Sequence, residues 1–374
     1  MQPARIAALP SRYAWVLSGR YAPPPADTEP GPRGEFTAFL DRFGGDLLSA
    51  SSLDGPLPPI ARALKRAGQT RLALASLVQS HAGQFDAIIA SGEDIGVPIA
   101  LASLAGFSRI PIHMMFHGHH LESAKLRLLA PTLRRLKHVH FHCLSESLRD
   151  RTIDRLGIPP VRCHATGYGV DTNYFDTGSR SDAAVIASAG AANRDYVTLA
   201  AAVQDLPVSV FIAADSTWVP PAASNGPMNW PANVEARSYG SYARLRELYA
   251  RAQFVVVPLH PARHACGYAV IAEALAMGRA VIVTQTEVPP DFVIPGVTGL
   301  FVKPHDVEGL QTAIRHLLEN PTKTRVMGES ARALMVGTNS LEGYCDRLET
   351  IVAASITKSY RKIAPFRQKR ITAG

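Results

Sequence analysis

The sequence predicts an α/β chain of two doubly wound domains facing each other across a cleft. Three observations lead there. Short apolar runs alternate with longer amphipathic ones. The alternation stops at a polar, Gly- and Asp-containing segment, GYGVDTNYFDTGSRSD, and then restarts. The chain has 374 residues, enough for two domains at roughly 100–200 residues each. Strand–helix–strand repetition with apolar strands implies a parallel sheet covered on both faces.

In the first half, the short apolar runs predict strands over Tyr13–Ser18, Asp46–Ser51, Phe85–Ser91, Ile110–Phe116, Val139–Leu144 and Val161–Ala165. Helical periodicity fills the intervals at Arg33–Phe43, Pro58–His81, Asp94–Ala105, Leu121–Leu136 and Glu146–Leu156. In the second half, strands are predicted over Val185–Ser188, Val208–Ala213, Phe254–Pro258, Ala280–Val283 and Leu300–Val302. Its helices are Arg194–Val203, Tyr242–Arg251, Tyr268–Met277, Asp306–Glu319, Pro321–Val336 and Leu341–Ile356. The domains are therefore set at residues 1–170 and 171–356. A basic tail, 357–374, can pack back on the first domain. Pro-rich loops at Tyr21–Gly34 and Trp218–Asn233 interrupt the rhythm. In such folds ligands bind in the cleft, at the carboxyl ends of the strands.

Composition narrows the function classes. No run reaches the ~18 apolar residues of a membrane span, and the N-terminus lacks a secretory pattern, so a cytoplasmic protein is expected. The four cysteines, Cys143, Cys163, Cys266 and Cys345, are scattered and form no CxxC pair. That spacing supports neither a zinc ribbon nor a disulfide framework. The net charge of +8 favours anionic partners. Basic residues are not interleaved with aromatic ones as in a nucleic-acid groove, so no nucleic acid is expected.

The stretch HACGYAVIAEALAMGRAVIVT, from His264 to Thr284, carries the chemistry. Gly267 opens a helix after the strand ending near Pro258 and the loop LHPARHAC, whose last residue is Cys266. The first amides of a helix are unpaired and its dipole is positive there. A glycine removes the Cβ that would hold a phosphate away. The backbone of Gly267, Tyr268 and Ala269 thus forms an anion site, flanked by Arg263 and His264. Glu273 lies further along the same helix. A buried carboxylate needs donors, which the vicinal hydroxyls of a ribose supply. A solvent-facing Glu is the alternative.

This stretch, followed by PPDFVIPGVTGLFVKPHDVEGLQTAI, resembles the nucleotide-sugar segment of the family 4 retaining glycosyltransferases of the GT-B fold. There, E-x-F-G-x-x-x-x-E-A-x-A-x-G-x-P-V-V precedes G-x-T-G-x-L-V-x-P-x-D. In the first half the resemblance is one of rhythm, plus LSESLRDRTIDRLGIP and GYGVDTNYF. It implies two Rossmann-like domains, the first binding acceptor and the second a nucleotide-diphosphate sugar as co-substrate. Uridine is the family's default base.

The resemblance assigns roles by position. Glu273 matches the glutamate that holds the ribose. Gly267 and Tyr268 match the loop on the diphosphate and sugar. Arg194 sits where the family carries a diphosphate-binding arginine. Gly19, after the first strand, matches the loop under the donor phosphates. His117, in MMFHGHH, matches the histidine over the donor sugar and is the catalytic candidate. Two departures stand out. The lysine usual after the arginine is absent, a loss that Arg263 would have to offset. The family's first glutamate is replaced by Ala265, which points to another sugar, to a sugar contact from His264 or Arg263, or to weakened catalysis.

Other constellations stay open at this level. His117, His119 and His120 could bind a metal, but adjacent His119 and His120 diverge, and no residue is assigned to one. His138, His140 and His142 share a strand face; a half-covered strand competes with a zinc or copper ridge, and His142 would approach the cleft. The helix AKLRLLAPTLRRLK could rest on an acidic membrane as a peripheral contact, with Pro131 breaking its pattern. The expected function is metal-independent, retaining transfer of a sugar to an acceptor hydroxyl on a small molecule, glycan or lipid. The alternatives are a regulatory protein that kept nucleotide-sugar binding, and a nucleotide-sugar epimerase.

Overall fold

The computed structural model describes residues 12–21, 30–106, 109–176, 185–214 and 229–368. The tip of the first Pro-rich loop, most of the second, and the last six residues lie outside them.

The first sheet contains β1 (Tyr13–Val16), β2 (Asp46–Leu48), β3 (Ala87–Ala90), β4 (Ile112–Phe116), β5 (Val139–Cys143) and β6 (Cys163–Ala165), in the order β2-β1-β3-β4-β5-β6. The second contains β7 (Val185–Ala189), β8 (Ser209–Ala213), β9 (Val234–Arg237), β10 (Phe254–Val257), β11 (Ala280–Thr284) and β12 (Gly299–Val302), in the order β12-β11-β10-β7-β8-β9. Every pairing is parallel. Central strands such as FVVV of β10 and AVIVT of β11 are buried throughout, which is why they read as unbroken apolar runs. β9, VEAR, escapes the sequence reading: it is an edge strand with one buried residue, so no apolar run marks it.

The helices of the first half are α1 (Glu35–Phe43), α2 (Pro59–Arg66), α3 (Thr70–Ser80), α4 (Glu93–Gly106), α5 (Ala124–Arg135) and α6 (Glu146–Leu156). Those of the second are α7 (Tyr196–Val203), α8 (Tyr242–Arg251), α9 (Tyr268–Ala276), α10 (Val307–Glu319), α11 (Pro321–Thr338) and α12 (Leu341–Gln368). The single helix expected over 58–81 is two, because Gly68 takes φ +72° between them. Pro131 lies inside α5 without ending it.

α12 changes sides. Its residues Leu341, Tyr344, Cys345, Leu348, Val352 and Ile356 are buried with Tyr13, Trp15, Phe39 and Met115 of the first half. Residues 341–356, read from sequence as the end of the second domain, therefore complete the first sheet's cover. The i, i+3, i+4 spacing specifies an apolar face but not the sheet that receives it. A buried apolar cluster also runs from sheet to sheet, so the facing strand ends are held together.

Candidate active site

The two halves meet where β4 and β10 end. The Ala265 amide of the second half donates to the His117 carbonyl of the first, at 3.1 Å. Gly118 takes φ +81°, and a Cβ there would lie 2.7 Å from Leu148 and 3.7 Å from His264. The rings of His119 and His264 face each other across this contact, centroids 4.4 Å apart. Burial and their mutual repulsion lower the proton affinity of His119; burial alone lowers that of His264. The backbone of Ala265 is thus tied to the opposite half.

Gly267 caps α9 in the left-handed region, φ +76°, and no side chain caps the helix. A Cβ would lie 3.2 Å from Val257 Cγ1, so both conformation and space call for glycine. Ala269, in the first turn, is exposed, while the neighbouring Tyr268 and Val270 are buried. The Tyr268 hydroxyl donates to the Val288 carbonyl (3.2 Å), and its ring packs edge-on to Phe292 and Tyr168. Its side chain anchors the loop, leaving its backbone for the helix opening. Cys266 is buried with a free thiol.

Glu273 lies in the second turn of α9 and is 9% exposed, which removes the solvent-facing alternative. Tyr249 of α8 donates to its Oε2 at 3.1 Å. Burial raises the Glu273 pKa to about 7, against the opposing pull of the Tyr249 hydroxyl and the Arg194 charge. Arg194 curls over the turn after β7: its Nε donates to the Ala189 carbonyl and its Nη1 to the Ala192 carbonyl, both at 2.8 Å. Gly190, at φ +93°, leaves room for the guanidinium, since a Cβ would stand 2.5 Å from Nη2. Arg194, distant in sequence, therefore joins Glu273 and the α9 opening at the carboxyl ends of β7 and β10.

The other predicted residues are placed differently. Arg263 lies in a surface network, its Nε 2.9 Å from Glu287 Oε1, and Glu287 also pairs with Arg151. Its charge is answered there rather than beside Arg194. Gly19 accepts from the Ala50 amide, lies outside the left-handed region, and a Cβ on it would meet nothing within 4 Å. The fold itself does not require glycine at this point.

His117 has a partner that sequence reading missed. Glu93, at the start of α4, accepts from the His117 amide (2.9 Å) and lies 3.5 Å from its Nδ1. Burial alone would raise the Glu93 pKa, but these bonds and the imidazole charge bring it to about 2. Burial disfavours the imidazolium, yet Glu93, with Glu35 and Asp94 beyond it, raises the His117 pKa. Glu93 Oε1 is buried without a hydrogen-bond partner among the described residues. Glu93 lies one residue before the helix expected over Asp94–Ala105, and only the juxtaposition of β3 and β4 brings it to His117.

His142 does not approach the cleft. It is sealed beneath α12, bonded through Nε2 to His113 Nδ1 (2.8 Å) and through Nδ1 to Thr166 Oγ1 (2.6 Å). His140 faces His164 at 3.1 Å, and His138 precedes the strand and bonds Ser103. His140 and His142 keep one face of β5, and the parallel register sets His113 of β4 and His164 of β6 beside them, so the rings form one cluster across three strands. On α5, Leu128 is 80% exposed amid the basic residues, while Leu126, Ala130 and Leu133 are buried. No helix among the described residues is long and apolar enough to cross a membrane.

Comparison with known proteins agrees with this architecture. The family model described as Glycosyltransferase Family 4 matches residues 29–174, and that described as Glycosyl transferases group 1 matches residues 228–334. No curated protein matches the chain. Among solved structures, a glycosyltransferase from Rickettsia africae ESF-5 is 14% identical with a TM-score of 0.71, covering 92% of this chain and 99% of that one. The Anabaena protein HepE, in complex with UDP and glucose, is 16% identical with a TM-score of 0.67, covering 92% and 100%. An α,α-trehalose 6-phosphate synthase from Burkholderia multivorans is 16% identical with a TM-score of 0.65, covering 97% and 99%. At these identities the likeness shows the fold. The two family models fall on opposite halves and together span more than half of the sequence, so the chain belongs to the family 4 glycosyltransferases of the GT-B fold.

Proposed function

We propose that the protein transfers a sugar from a nucleoside-diphosphate donor to an acceptor hydroxyl, with retention of anomeric configuration and without a metal in the chemical step. The observation that carries this reading is the convergence of the uncapped α9 terminus at Gly267, the Arg194 guanidinium and the buried Glu273 carboxylate. As the glycosidic bond breaks, negative charge grows on the leaving diphosphate. The amides of Tyr268 and Ala269 and the Arg194 cation offset it through fixed dipoles and charge. Glu273 accepts from the ribose hydroxyls. The HepE complexes with UDP and with UDP-glucose support a uridine donor.

On the opposite wall, His117, held by Glu93, orients the acceptor hydroxyl and the donor sugar. No nucleophilic side chain is invoked, so attack comes from the leaving-group face, with the departing phosphate taking the acceptor proton. The acceptor binds on the half built around the first sheet and the donor on the half built around the second. Lipid-linked acceptors belong in the test panel because α5 combines exposed Leu128 with Lys125, Arg127, Arg134 and Arg135.

The test incubates the full chain with a set of UDP- and other nucleotide-sugars, with and without small-molecule, glycan and lipid-linked acceptors. Acceptor-dependent release of the nucleoside diphosphate, with the product's anomeric proton keeping the donor configuration by NMR, supports the reading. An inverted product removes the retention claim. A second reading rests on Ala265: binding without turnover on any acceptor makes the chain a nucleotide-sugar-binding regulator, and acceptor-free isomerisation of the donor makes it an epimerase.

A further inference from the structure

We propose that Asp195, His260 and His305 form a site for one divalent transition-metal ion of the zinc class, clamping three loops of the second half. Nothing in the transfer reaction uses these residues, and the inference stands apart from the proposed function.

The three come from separate loops: Asp195 after β7, His260 after β10 and His305 after β12. One ligand atom from each lies within 4.8 Å of the others. His305 Nδ1 is 2.9 Å from Asp195 Oδ2, and the His260 and His305 rings stand 5.4 Å apart, inclined by 44°. A tetrahedral ion with ligands at 2.0–2.1 Å holds its donor atoms about 3.3 Å apart, so small side-chain rotations would admit it. Two imidazoles and one carboxylate with open positions suit zinc, cobalt, nickel or ferrous iron.

The scaffold is built for fixed positions. The Asp195 amide donates to the Pro258 carbonyl, the His260 amide to the Asn193 carbonyl, and Asn193 Nδ2 to the His260 carbonyl, at 3.0–3.2 Å. These bonds lock the Asp195 loop to the His260 loop. Asp195 is almost fully buried, and Thr198 donates to both carboxylate oxygens, its amide at 3.1 Å and its hydroxyl at 2.7 Å. That is the outer-sphere support a metal-binding carboxylate needs. Among the described residues, the two non-glycine positions in left-handed backbone are Asn193 (φ +56°) and His305 (φ +59°), and both belong to this cluster. Such strain collects where a fixed geometry is used. His305 is half exposed, which leaves an entry path and room for water on the open positions. Because Asp195 follows Arg194, a bound ion would also brace the turn that carries the arginine.

The test uses the untagged full chain, stripped with a chelator and titrated with Co²⁺ and then Zn²⁺. Stoichiometry comes from calorimetry, the ligand set from the visible spectrum of the cobalt form, and clamping from the melting temperature. His305→Asn keeps a residue that tolerates left-handed backbone, and Asp195→Asn keeps a helix cap, so both should fold. The wild type should bind one equivalent more than His305→Asn, His260→Ala or Asp195→Asn. Losing one ligand should weaken that equivalent at least about tenfold. Zinc should raise the melting temperature of the wild type and not of these variants. His119→Ala, which removes a cleft histidine, should keep the extra equivalent. The proposal is overturned if the wild type binds no such ion, or if wild type and the three variants bind the same number with equal affinity.

Discussion

Replacing Glu273 by glutamine separates the stability of the donor site from its function. The carboxyl is buried, and its pKa moves from the ordinary 4.5 to about 7. At 1.36 kcal/mol per unit, ionising it in the folded state costs about 3 kcal/mol more than in the unfolded chain. The folded pKa is raised, so the native state holds an extra proton between the two values. That contribution is complete below about pH 4.5 and is lost as pH rises through about 7. Glutamine has the same shape, still accepts from Tyr249 and never ionises. Calorimetry of both proteins across pH should therefore show a melting-temperature difference that grows from about pH 4.5 to about pH 7 in favour of Glu273→Gln and then levels off. For a domain of this size, 3 kcal/mol corresponds to about 6–12 °C. The same variant should bind nucleotide sugar more weakly, because the neutral amide offers the ribose hydroxyls one acceptor oxygen instead of a carboxylate. Parallel melting curves over the whole range would refute the claim that a buried carboxylate titrates here. Unchanged donor affinity would refute its role at the ribose.

Four further outcomes follow from the same geometry. Tyr249→Phe removes the bond to Oε2; the pH below which donor affinity falls should move upward, as read from the KM–pH profile. Arg194→Ala should slow kcat more than it weakens nucleoside binding, about tenfold or more if one charge-assisted contact to the leaving diphosphate is lost. Gly267→Ala places a Cβ at φ +76° against Val257, so urea denaturation should show a loss of about 1–2 kcal/mol. Glu93→Gln removes the carboxylate beside His117. Because that carboxylate's pKa is depressed in the fold, the variant should be less stable at neutral pH. The deficit should shrink as pH falls below about 4.5 toward 2, measured by denaturation across pH.

The site divides into what neighbouring residues specify and what distant ones do. Gly267 and Glu273 lie on one helix, six residues apart, so helical geometry relates them before any tertiary contact forms. Arg194 is singled out only by the family resemblance, and its meeting with Glu273 depends on β7 lying beside β10. Glu93 gave no local signal, since an acidic residue at a helix start is ordinary. The sequence sets Arg263 beside the anion site, yet a long side chain on the surface goes to whichever carboxylate the fold brings near, here Glu287.

By itself, the order of apolar runs and periodic stretches determined the class of fold, the two halves, nearly every strand and helix, and the helix terminus that faces the cleft. These depend on spacing within a few residues, where backbone geometry decides which side chains share a face. Only the tertiary structure decided that α12 crosses to cover the first sheet and that His142 is sealed beneath it. It alone paired Glu93 with His117 and gathered Asp195, His260 and His305. Each of those meetings joins residues from separate loops or strands, and side-chain spacing along a chain carries no information about which loops a folded sheet will bring together.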